Sequence, residues 1–160
     1  MAASVTITDI AFWISIGVTL TFFVAADHLW KPVFFRRCLA AAILIFLFGT
    51  IGEIFQFAGM PLIDARPGMA AVVSGAPLIF LLWFDLLRFG YKRLFQTEPC
   101  ITGRTTWIGS VPSDMSGWAS KDGRQKKYSS DRRVTFADLV FSALHALGPA
   151  FTILGLLSLV

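Results

Sequence analysis

RRCLAAAILIFLFGTIGEIFQFAG, residues 36–59, reads as two cations followed by 22 residues with a single Asp, Glu, Lys or Arg, Glu53. At a helical rise of ~1.5 Å per residue, the apolar part 38–59 is long enough to cross a hydrocarbon core of ~30 Å. Arginines placed just before such a run mark its end as the one held at the cytoplasmic face. Three more stretches of similar character flank it, at about 8–26, 69–89 and 135–160. The expected fold is an all-α integral membrane protein. Its single domain, 1–160, is an antiparallel bundle of four transmembrane helices. One polar, basic cytoplasmic loop, 90–134, is too short to carry a core of its own.

Charge sets the orientation. The loop after the first span carries Lys31, Arg36 and Arg37. The segment after the third carries Arg88, Lys92, Arg93, Arg104, Lys121, Arg124, Lys126, Lys127, Arg132 and Arg133. Only Arg66, of the 14 Lys and Arg residues, falls on the other side. Both termini are therefore expected to be non-cytoplasmic. Composition agrees: 56% of residues are hydrophobic and 15% charged, where soluble domains run near 25% charged. The net charge of +4 comes almost wholly from the cytoplasmic loops, which points to anionic lipid or an acidic protein partner and away from nucleic acid.

The remaining segments are connectors. Val24-Ala25-Ala26 before Asp27 has the small residues of a cleavage site, yet the residues ahead of the apolar run carry Asp9 and no Lys or Arg. That is the wrong charge for a signal peptide, so the first span is read as a retained helix. Residues 27–32 (DHLWKP) form a tight turn, with Pro32 ending the helix and Trp30 at headgroup depth. Residues 61–68 (PLIDARPG) form a short external hairpin. Ile101-Thr102 and 105–110 favour extended structure, with Gly103 available for a turn. Cys38 and Cys100 lie at or inside the cytoplasmic face, where thiols stay reduced, and are read as structural.

Within the spans, small and polar residues recur at helical steps. Gly49, Gly52, Glu53, Gln56 and Gly59 trace one stripe of the second span. Asp138, Ser142, His145, Gly148, Thr152, Gly155 and Ser158 trace one of the fourth. Ser74, Asp85 and Arg88 share a face of the third. Small residues let helix backbones approach and polar ones bond across helices. The expected packing positions are therefore Gly49, Gly52, Gly59, Gly148 and Gly155, with Leu, Ile and Val turned to lipid and the 16 phenylalanines largely lining the outside and filling gaps.

Glu53 stands 16 positions beyond Arg37, roughly 24 Å from the inner surface, and His145 stands 12 beyond Arg133, roughly 18 Å. Acids at such depth face a bundle interior or water. The expectation is an intramembrane polar site of Glu53, Gln56, His145 and Thr152. It is either a proton or cation site, or a hydrogen-bonded packing contact with Glu53 held neutral. Gly75-Ala76-Pro77 and Gly148-Pro149 mark helix irregularities. Asp85 is expected to pair with Arg88 three residues on. Asp138 suits the first turn of the fourth span, with Arg132 and Arg133 in reach.

No catalytic constellation is present: no phosphate-binding glycine loop, nucleophile elbow, metal-binding histidine pair or redox cysteine pair. No cofactor and no metal are expected. The chain reads as a non-enzymatic membrane subunit that assembles into an oligomer or a larger membrane complex. Lys92, Arg93, Lys126, Lys127, Arg132 and Arg133 would contact lipid headgroups or a cytoplasmic protein. The alternative is an oligomeric channel or transporter for protons or small cations built around Glu53 and His145.

Overall fold

A computed structural model describes residues 7–24, 29, 32–54, 68–100, 108 and 133–160. Among them the chain is helical, without strands: α1 is Ile7–Val24, α2 Pro32–Ile54, α3 Met69–Ser74, α4 Ala76–Phe95 and α5 Phe136–Leu159. Two of these, α2 and α5, are long and apolar enough to cross a membrane. The second apolar run keeps its helix from Pro32, the expected helix breaker, because proline at the first helical position lacks only an N–H that would be unbonded anyway. The turns expected at 27–32 and 61–68 and the extended stretch at 101–110 lie almost wholly outside the described residues.

The chain forms two compact units. The first comprises Met1–Leu82 and Pro149–Val160. In it α3 packs on α1 and α2, and α1 also meets α2. On α2 the buried positions are Cys38, Ala42 and Gly49, one stripe of small side chains. Leu44, Phe48, Ile51 and Ile54 stand exposed. Only 17% of the most apolar window of α2 is buried, a low share for a helix at the core of a soluble domain. Small residues inward and large apolar residues outward are the arrangement that lipid favours.

Gly75 joins α3 to α4 with hardly an interruption. Its φ of −78° and ψ of −12° are right-handed helical, and the ladder runs through it from Gly75 N–H to the Ala71 carbonyl and from Ile79 N–H to the Gly75 carbonyl, both 2.9 Å. The cost of Pro77 falls on one group. Proline has no N–H to donate to the carbonyl four residues back, which is that of Val73. The hydroxyl of Ser15, fully buried on α1, donates to that carbonyl at 2.6 Å. At the irregularity read at Gly75-Ala76-Pro77 the Val73 carbonyl therefore accepts both a backbone N–H at the end of α3 and the Ser15 hydroxyl from a neighbouring helix.

The second unit is Trp83–Gly148, and it brings the C-terminal part of α4 against the start of α5. Phe84 and Tyr91 of α4 and Asp138, Phe141 and His145 of α5 are buried, at the three-, four- and seven-residue spacings of one helix face. Phe80, Phe84 and Phe141 are buried, whereas Phe48, Phe89, Phe95, Phe136 and Phe151 are exposed. An added Cβ on Gly148 would meet the Trp83 ring at 3.1 Å.

Candidate functional site

The densest polar cluster is centred on Asp138, which is fully buried. Thr135 stands just before α5, and Thr-Phe-Ala-Asp, residues 135–138, forms a capping box with Asp in the place usually held by Glu. The Thr135 N–H and hydroxyl donate to Asp138 Oδ2 at 2.8 and 2.9 Å. Oδ1 accepts from the Tyr91 hydroxyl and from the Cys100 N–H, each at 2.8 Å. Four donors on one carboxyl group offset the desolvation that burial imposes. Ser142 extends the cluster, donating to the Asp138 carbonyl at 2.8 Å and reaching the Cys100 carbonyl at 3.4 Å.

Beside this cluster Glu98 folds back onto α4. Arg88 grips its carboxylate with two prongs, Nε and Nη2 each at 3.0 Å, and Lys92 Nζ adds a third contact at 3.2 Å. Burial pushes the Glu98 carboxyl up, but the bonds and charges of Arg88 and Lys92 outweigh it and hold the group below its ordinary value. The two-pronged partner of Arg88 is thus Glu98, ten residues on. Asp85, expected as its partner, is exposed. Asp138 is likewise held by Thr135, Tyr91 and Cys100, while Arg133, expected near it, is exposed and Arg132 lies outside the described residues.

Glu53 belongs to the first unit and to the last turn of α2. Its carboxyl group accepts from the backbone N–H of Gly68 and, at 3.1 Å, from that of Ala71. These are donors that the start of a helix leaves without intrahelical partners. Gly68 has φ of 92°, a left-handed conformation that costs other L-residues ~1–2 kcal/mol. His145 belongs to the second unit, edge-on to Phe84 with ring centroids 5.2 Å apart and stacked on Phe141 at 6.3 Å. The two residues expected to form one polar layer thus each have described partners within their own unit. Thr152 is half-buried on α5, and Gln56 lies outside the described residues.

The glycines divide sharply. A Cβ on Gly49 would run into the Ser74 side chain, whereas one on Gly52 or Gly155 would meet nothing within 4 Å among the described residues. Gly59, Lys126 and Lys127 lie outside the described residues, and Lys92 and Arg93 are exposed in the last turn of α4. Among the described residues no three or more His, Cys, Asp and Glu side chains gather as a metal site. What sequence reasoning missed is the convergence of Tyr91 and Cys100 on Asp138, 47 and 38 residues along the chain, and the return of Glu98 onto Arg88 and Lys92. The capping pattern at 135–138 was a legible signal for half of the Asp138 cluster. The chain matches no protein-family model, no curated protein and no solved structure.

Proposed function

We propose that the chain is a multi-pass membrane protein with four spans, formed by α1, α2, α3 with α4, and α5, and that it works as a non-enzymatic subunit of an oligomer or larger membrane complex. The observation that carries this reading is how the acids are used. Glu53 accepts backbone N–H bonds at the start of α3, and Asp138 accepts four bonds from the chain around it. Both groups thereby serve the fold, which favours a structural part over an ion path. The exposed Leu, Ile and Phe residues of α2, α4 and α5 supply surface for lipid and for other subunits. The basic segment 90–134 supplies a cytoplasmic contact, with the termini on the opposite side.

Two measurements on the purified protein test the reading together. Light scattering in detergent should give a protein mass well above the 17.6 kDa of one chain. Liposomes carrying the protein should leak protons no faster than empty ones, and Glu53→Gln should leave that rate unchanged. A proton flux abolished by Glu53→Gln in an assembly of normal mass would instead establish the transporter reading. A monomer without partners would remove the subunit reading.

A further inference from the structure

The Asp138 cluster also closes a loop. Cys100 is the last residue before the segment 101–134 and Thr135 the first after it. Their backbone nitrogens bond the two oxygens of one carboxyl group at 2.8 Å each, so they lie within about 8 Å of each other. Three extended residues reach about 10 Å, and helix–helix connections usually need about 2–8 residues. The chain places 34 residues between these two points. Joining α4 to α5 does not require that length.

The same carboxyl group reaches α4 directly through the Tyr91 hydroxyl. Tyr91 is itself buried, with its ring edge-on to Phe141 of α5 at 5.8 Å. Cys100, Pro99 and Val134 are buried as well, so both stems of the segment are anchored by packing in addition to hydrogen bonds. We infer that residues 101–134 are an insertion standing on a closed base: Asp138 ties Tyr91, Cys100 and Thr135 together and holds α4 to α5 independently of the chain that connects them. Whatever 101–134 contacts, it does so from a foot that the helices fix, so the segment changes without disturbing the pairing beneath it. This inference stands on the geometry of the base and does not depend on the subunit reading.

The test compares the full-length protein with a chain in which 103–132 is replaced by Gly-Ser-Gly-Ser, each with and without Tyr91→Phe, by thermal unfolding in detergent. Tyr91→Phe keeps the ring and removes one donor from Asp138. The shortened chain should unfold at the midpoint of the full one or slightly above it, since a shorter loop costs less entropy to close. Tyr91→Phe should lower the midpoint by the same several degrees in both. A shortened chain that fails to fold or melts far below the full-length protein would overturn the inference, because the connection would then be holding the helices. So would a Tyr91→Phe loss absent from either background.

Discussion

Gly49 and Gly52 are three residues apart on one helix and predict different effects. At Gly49 an added methyl would collide with the buried Ser74, whose Cβ is fixed to its backbone and whose hydroxyl is bonded to the Ala70 carbonyl at 2.6 Å. Replacing glycine gains up to ~1 kcal/mol of helix propensity, but forcing a packed contact apart costs ~1–3 kcal/mol. Gly49→Ala is therefore expected to lower the unfolding midpoint in detergent, while Gly52→Ala leaves it unchanged or raises it. Equal effects at the two positions would mean that α2 and α3 do not meet at Gly49. The stripe holding both residues was legible from their spacing. Which of the two touches a neighbour was not, because spacing identifies a helix face and contact depends on where another helix crosses it. Glu53 shows the same limit: its need for a partner follows from sequence, but backbone donors have no side-chain signature to announce them.

At the scale of elements, the α3–α4 joint offers a test by rescue. Ser15→Ala would remove the hydroxyl from the Val73 carbonyl, which keeps a backbone N–H at the end of α3, at a cost of ~0.5–1.5 kcal/mol for one hydrogen bond. Pro77→Ala restores an N–H at the position that the helix ladder requires. The double variant should therefore lose clearly less stability than Ser15→Ala alone, a coupling that a double-mutant cycle measures directly. Strict additivity would show that Ser15 and Pro77 do not share the Val73 carbonyl. Hydropathy made α2 and α5 legible, because length and apolarity are properties of one element. The pairing of Ser15 with Val73 joins residues 58 apart, and a single sequence carries no record of such a meeting.

The whole molecule is described by its charge asymmetry before any contact is known. On the proposed four-span topology only Arg66 lies opposite the other Lys and Arg residues, so a membrane-impermeant thiol reagent should label a cysteine introduced beside Met1 or at Asp64 in a background lacking Cys38 and Cys100. It should not label one at Ser120. The reverse pattern would invert the topology. The partners of the two acids have a further consequence, which concerns time. The donors to Glu53 lie 15 and 18 residues after it, so at ~5–20 residues per second a ribosome delivers both within about 1–4 s. The distant donors to Asp138 lie 47 and 38 residues before it and have already been made when it emerges. On the proposed four-span topology each acid would meet the bilayer with its partners present or only seconds behind, and the order of synthesis would spare the insertion machinery a long-lived bare charge.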